Sequence, residues 1–295
     1  MRFSPLVHFA LVCAPLLGAC ERAPRAASAS TADDFGDTIA VARAPRRIVS
    51  LNPSTTELLF AIGAGARLVG RTTYDLWPDA ARALPDLGPG LRPNVEAVLA
   101  ARPDLVVLYA SDDNRDAARR LRAAGVPTAA YRVDRIADFM RVTRALGILT
   151  GDTAAARATV DSVRATLDRV RASTATRSAP TVFWPLYDQP LLAVGSGSYL
   201  NELIAIAGGR NVYGFMPAPS PQITIEDLVK RDPDVVLLPP ASRARYLADP
   251  RWRTLRAVRE GRVLSVDTML VLRPGPHLGE AAQSLAALLH PELAH

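Results

Sequence analysis

Cysteine, histidine and lysine are the scarce residues of this 295-residue chain. Its two cysteines, Cys13 and Cys20, lie near the N-terminus, so no disulfide framework staples the body. His8 lies in the same leader, His277, His290 and His295 crowd the C-terminal end, and neither His nor Cys occurs from Glu21 to Pro276. A zinc, copper or iron centre built from dispersed imidazoles and thiolates is disfavoured. A Ser-His-Asp site would have to recruit a late histidine, and no G-x-S-x-G elbow is present. Lys230 is the sole lysine; the net charge of +6 rests on arginine, with no run of five like charges, which is a dispersed surface bias and not a nucleic-acid footprint. Aromatic residues make up only 6%. With 49% hydrophobic and 22% charged residues, the chain suffices for one large or two ordinary domains.

No apolar run is a convincing membrane span. Residues 1–20 join a positive start at Arg2 to an apolar stretch interrupted by Pro5 and Pro15, and end in Leu17-Gly18-Ala19-Cys20. This suits an export signal, and its ending resembles a bacterial lipobox in which Cys20 becomes the lipidated first residue. Residues 21–34, rich in Ala, Ser, Pro and charge and without apolar periodicity, read as a flexible tether. A tethered extracytoplasmic body has no nucleotide supply, which counts against kinase, ATPase or NAD chemistry. The A-I-G-A-G-A stretch around Gly63 and Gly65 follows a helix pattern instead of a strand, so it reads as helix termination and not as a dinucleotide loop.

The body alternates short apolar runs with amphipathic stretches. A strand at 48–51 leads into Ser54-Thr55-Thr56-Glu57, a capping-box pattern before Leu58, Leu59 and Phe60. Strands follow at 67–70, 104–109 and 126–131, with helices at 95–101 and 115–124. The later half repeats this grammar with strands at 181–184, 235–238 and 263–266 and helices at 199–207, 225–231 and 278–289. Such alternation implies parallel sheets covered by helices. The halves also match residue by residue: N-V-E-A-V-L-A-A-R-P-D-L-V-V-L from Asn94 aligns with T-I-E-D-L-V-K-R-D-P-D-V-V-L-L from Thr224 at one constant offset. Glu96 falls on Glu226, Pro103 on Pro233 and Asp104 on Asp234. Between the halves, residues 153–171 place Val160, Val163, Leu167 and Val170 at three- and four-residue steps, a helix of roughly 30 Å able to join two lobes stiffly. The organisation read from the chain is a leader at 1–20, a tether and N-terminal segment at 21–44, an N-terminal lobe at 45–150, a linking helix at 151–174 and a C-terminal lobe at 175–295.

The stretches R-I-V-S-L-N-P-S-T-T-E-L-L-F from Arg47, V-E-A-V-L-A-A-R-P-D-L-V from Val95, the long linking helix, I-A-G-G-R-N-V from Ile206 and R-P-G-P from Arg273 together resemble a known family. It is the helical-backbone (class III) periplasmic substrate-binding proteins of ABC importers for cobalamin, iron siderophores and haem, and the pattern resembles the cobalamin-binding branch most. The resemblance implies an α/β fold of two similar lobes, each with a mostly parallel central sheet, joined by one long helix around a ligand cleft. It implies no catalysis and no resident cofactor, a transported corrinoid or iron chelate, and a monomer at the periplasmic or extracytoplasmic face with only a lipid anchor in the membrane. In the cobalamin branch one glutamate on each lobe meets permease arginines; these match Glu96 and Glu226, the pair that the internal repeat singles out.

A flat, large ligand needs aromatic faces and polar groups to orient it. Candidates at strand ends are Tyr74, Trp77, Tyr109 and Asp112 from the first lobe and Trp184, Tyr187 and Arg273 from the second. Tyr74, Tyr109 and Arg273 match cleft residues of the family, whereas Gly90 and Ser220 stand near where the cobalamin branch carries cleft tryptophans. A haem receptor would need an axial ligand from Tyr74, Tyr109, Tyr187 or His277, and a siderophore receptor would use arginines. An exported hydrolase or chelatase-like enzyme on the same frame, or a surface interaction module, is the alternative of another class.

Overall fold

The computed structural model describes residues 29–271 and 273–293. The leader, the lipidation expected at Cys20 and His295 lie outside them. Among the described residues no helix is long and apolar enough to cross a membrane.

The tether read over 21–34 gives way to structure from Ala29 onward. Strands β1 (Ala29–Ala32) and β2 (Thr38–Val41) form an antiparallel hairpin. Ile39 and Val41 alternate inward to the core, and the Asp33 carboxylate accepts the backbone N–H groups of Phe35, Asp37 and Ala130 while pairing with Arg122. That four-residue alternation is too short to stand out from a polar stretch.

The first lobe contains β3 (Ile48–Leu51), β4 (Leu68–Gly70), β5 (Leu105–Tyr109) and β6 (Thr128–Tyr131), all parallel in the order β4-β3-β5-β6. Its helices are α1 (Pro53–Ala61), the short α2 (Asp79–Arg82), α3 (Val95–Ala100), α4 (Asp112–Ala123) and α5 (Ile136–Thr150). Helix α6 (Thr153–Thr174) then leads into the second lobe. There β7 (Thr181–Phe183) is followed by a hairpin of β8 (Pro185–Asp188) and β9 (Leu191–Ala193), helix α7 (Tyr199–Ile206), β10 (Arg210–Asn211), α8 (Ile225–Arg231) and β11 (Val235–Leu238). The chain ends with α9 (Pro240–Ala248), α10 (Arg256–Arg259), β12 (Val263–Ser265), α11 (Thr268–Val271) and α12 (Leu278–Leu289). The order β10-β7-β11-β12, again all parallel, reproduces that of the first lobe.

The repeat in the sequence is a repeat in backbone geometry. Helices α3 and α8 are capped by Asn94 and Thr224, whose side chains accept the third N–H onward, from Ala97 and Asp227. Each helix is followed by a left-handed residue at the matching position, Arg102 at φ 48° and Asp232 at φ 41°. Each next strand is preceded by an aspartate that clamps its neighbour: Asp104 accepts the N–H groups of Arg46 and Arg47 at 2.9 and 2.8 Å, and Asp234 accepts the N–H and hydroxyl of Thr181 at 2.8 and 2.7 Å.

Helix α1 differs from the expected capping box. The cap is Asn52, whose Oδ1 accepts the Ser54 N–H at 3.0 Å, with Pro53 in the first turn where its missing N–H costs nothing. Glu57 is thereby released from the cap and is buried. At the other end Gly63 takes φ +85°, and the N–H groups of Gly63 and Ala64 close back on Phe60 and Leu59, confirming helix termination there.

Helix α6, 22 residues and about 33 Å long, buries Ala156, Val160, Val163, Leu167 and Val170 on one stripe. It packs on α5 from the first lobe and on α12 from the second. One apolar cluster runs from Ile48 and Leu58 through this helical layer to Val182 and Leu285. The two sheets are thus tied through a shared close-packed backing, which resists bending far more than a pair of extended linkers would.

Candidate functional site

A cavity of ≈380 Å³ opens between the lobes. From the first lobe it is lined by Asn52, Ser54, Tyr109, Val133 and Asp134, and from the second by Gly197, Ser198, Tyr199, Pro219, Arg273 and Pro274. Asn52, Tyr109 and Asp134 follow the carboxyl ends of β3, β5 and β6, where open parallel sheets place ligands. Ser198 and Tyr199 sit at the start of α7, with the Ser198 hydroxyl accepting the Leu200 N–H at 3.2 Å.

The polar groups of this cleft are held from behind. The Tyr109 hydroxyl donates to both Asp134 carboxylate oxygens at 3.0 Å. Burial, together with the adjacent carboxylate, pushes the Tyr109 phenol up to about 12, so it keeps its proton. Burial also raises Asp134, while the Tyr109 hydroxyl bond opposes that rise. Arg273 reaches across from the second lobe, its Nε 2.8 Å from Glu57 Oε1 of α1 and its Nη1 donating to the Tyr74 carbonyl at 3.4 Å. Glu57 is raised by burial, against the lowering influence of Arg273 and His277. The loop approaches closely: a Cβ on Gly275 would lie 3.1 Å from Glu57 Oε2. Behind Tyr74, buried Asp75 accepts the hydroxyls of Thr56 and Thr72 at 2.7 Å and the Thr72 N–H at 3.0 Å, fixing the Tyr74 loop to α1. Further bonds across the lobes run from the Tyr199 N–H to the Asp134 carbonyl, from Arg135 to the Ser196 carbonyl and between Arg135 and Glu202.

Of the residues singled out in the sequence, Tyr109 and Arg273 line this cavity, and Tyr74 stands 58% exposed beside Arg273. Trp77 is half-buried, its ring meeting His277 edge-on at 4.3 Å. Three candidates are not brought here. Trp184 is 3% exposed and packed into the core, because the chain leaving β7 turns its indole inward. Tyr187 points outward from the β8–β9 hairpin into a separate pocket with Arg245, Tyr246 and Asp249. Asp112 lies in the exposed first turn of α4 beside Arg115. Of the axial-ligand alternatives, Tyr109 is committed to Asp134, whereas His277 meets Glu280 through Nδ1 at 3.0 Å and leaves its buried Nε2 without a partner among the described residues. Sequence reading missed Asn52, Glu57, Asp134, Ser198 and Tyr199. Their usable signals were a turn after a strand and a helix-capping serine.

Glu96 and Glu226 are both exposed in the first turns of α3 and α8. Glu96 pairs with Arg120 at 2.6 Å, whereas Glu226 is lowered by its own backbone N–H and the Thr224 hydroxyl.

The sequence pattern of the periplasmic binding protein family matches residues 48–269. An uncharacterized ABC transporter substrate-binding lipoprotein of Bacillus subtilis, YvrC, is 28% identical over 89% of this chain and 86% of its own. A vitamin B12-binding protein of Photorhabdus laumondii is 25% identical over 84% and 89%. The crystal structure of a periplasmic haem-binding protein from Pseudomonas aeruginosa superimposes with a TM-score of 0.74 at 27% identity, covering 84% of this chain and 93% of that one. Two like lobes with parallel sheets, a helical backing and a cleft lined from both sides agree with that match, and the chain belongs to the periplasmic binding protein family.

Proposed function

We propose that this chain is the extracytoplasmic receptor of an ABC importer of the cobalamin, haem and siderophore type, and that its ligand is a corrinoid held in the interlobe cleft. The observation that carries the reading is the cavity itself, walled by both lobes at the carboxyl ends of the first-lobe strands, with Tyr109 and Arg273 on it and Tyr74 at its edge. Tyr74 offers a flat apolar face, and the hydroxyl, amide and guanidinium groups around the cavity suit the polar periphery of a large planar ligand. A ligand of that size extends beyond a ≈380 Å³ cavity, and the exposed Tyr74, whose carbonyl meets the cavity-lining Arg273, is the aromatic ring it would reach. Support also comes from the vitamin B12-binding relative. Haem is the second reading, favoured by the exposed Tyr74 ring and by the haem-binding relative. Glu96 and Glu226, equivalent acids on equivalent helices, are the proposed contacts to two basic pockets of a permease dimer, and a monomer tethered by lipidated Cys20 presents them.

Adding hydroxocobalamin, haem and ferric siderophores separately to the purified protein tests this through intrinsic tryptophan fluorescence. Trp77, beside the Arg273–His277 loop, is the reporter nearest the cleft loops. Saturable quenching by hydroxocobalamin at micromolar concentration or below is the expected result. Quenching by haem alone selects the second reading, and no quenching by any of them favours an enzyme or an interaction module.

A further inference from the structure

We infer that Asp134 makes the cleft selective by charge: it favours ligands that bring N–H donors or positive charge to the first-lobe wall and rejects those that bring carboxylate or other anionic oxygens. The inference rests on the receptor reading above and deepens it by naming the ligand's chemical class.

Two charged side chains line the cavity, Asp134 and Arg273, and they are compensated very differently. Arg273 has its counter-charge built in, since Glu57 lies 2.8 Å from Nε in a buried position, so the guanidinium offers geometry to a ligand with little net attraction for an anion. Asp134 has no Lys, Arg or His within 4.0 Å among the described residues. Of the neighbouring cations, Arg135 pairs with Glu202 and Arg141 with Asp34 and Asp138, while Arg132 donates to the Ala110 carbonyl at 2.9 Å and reaches Asp134 only at longer range. Asp138 and Asp34, both paired with Arg141, add negative field at Asp134, and Arg132 opposes it. The only side-chain donor to Asp134 among the described residues is the neutral Tyr109 hydroxyl, shared between its two oxygens. A carboxylate accepts about four hydrogen bonds, so acceptor capacity remains for the cavity. Asn52, Ser54 and Ser198 add neutral groups only.

The wall therefore carries a carboxylate that no direct ion pair neutralises, in a partly desolvated cleft. An anionic oxygen placed there meets like charge, whereas an amide N–H or a cation completes Asp134. The rim amides of a corrinoid fit this requirement, and the carboxylates of haem do not.

The test is calorimetric titration of the wild-type protein and Asp134→Asn with four probes: hydroxocobalamin, haemin with its two carboxylates, the cationic ferric hydroxamate ferrioxamine B, and the anionic ferric enterobactin. Asparagine is nearly isosteric and keeps one oxygen for the Tyr109 hydroxyl, while it removes the charge and turns one acceptor into an N–H donor. The wild-type protein is expected to prefer hydroxocobalamin or ferrioxamine B over both anionic probes. In Asp134→Asn the preferred probe weakens by about tenfold or more, and its margin over the anionic probes narrows. Preference of the wild-type protein for haemin or ferric enterobactin overturns the inference without any variant, as does an unchanged affinity of the preferred probe in Asp134→Asn. Binding of ferrioxamine B without hydroxocobalamin retires the corrinoid reading and leaves the charge rule intact. Binding of no probe removes the receptor reading and the charge rule together.

Discussion

Replacing Arg273 with alanine is expected to cost about 3 kcal/mol of stability at neutral pH, because it strands Glu57 as an unpaired carboxylate in a site almost closed to water. The loss should be strongly pH-dependent. Glu57 is already raised above its ordinary value by burial, and Arg273 is the largest influence holding it down. A carboxyl with a raised folded-state pKa favours the folded state in its protonated form; it lowers stability progressively as pH rises from the unfolded value through the folded one. Removing Arg273 raises Glu57 further and widens that window upward. The Arg273→Ala deficit should thus be largest at pH 7 and shrink on acidification toward pH 5, and Glu57→Gln in the same chain should recover most of it. Urea unfolding of the three proteins at both pH values measures this. A deficit below about 1 kcal/mol, or one equal at the two pH values, would show that the pair does not bind the lobes together.

The second large effect concerns delivery. Glu96→Ala combined with Glu226→Ala is expected to lower ligand uptake by about two orders of magnitude in cells while ligand affinity of the purified protein stays within twofold. Both acids are exposed on first helical turns, outside the cavity lining, so their removal leaves the ligand site untouched. The Glu96–Arg120 pair is exposed at both ends, and pairs of that kind are worth little, so in the proposed docking Arg120 would yield Glu96 to a partner arginine at small cost. Single substitutions should each fall between wild type and the double variant. Unimpaired uptake, or a large loss of ligand affinity, would show that these helices serve another purpose.

The lobes were legible in the chain because a duplicated unit repeats its physical constraints. Arg102 and Asp232, though different residues, both take the left-handed turn that stops a helix, and Asp104 and Asp234 both clamp the strand beside them, so the same backbone constraints recur at the same offset. The long helix was legible because its apolar stripe is regular. The cleft was legible only in part. Tyr109 was visible as an aromatic at a strand end, yet Trp184 has the same local signature and is buried, since nothing local states which way a strand exits. Glu57 belonged to a pattern that reads as a helix cap until Asn52 is seen to hold that role. Its true partner, Arg273, comes from the opposite end of the chain, and Asp134 acquires meaning only when Tyr109 is placed against it. Contacts made between lobes leave no periodicity for a sequence to display. The hairpin of β1 and β2 was missed for the opposite reason, its apolar alternation being too brief.

The most direct measurement is the crystal structure of the protein saturated with the ligand that quenches its fluorescence. Density for that ligand should fill the interlobe cavity and extend over Tyr74, with polar groups reaching Arg273 and Asp134 and the Glu57–Arg273 contact retained. Density confined instead to the pocket beside Tyr187 and Tyr246, with the interlobe cavity holding only water, would contradict the assignment of the cleft as the binding site.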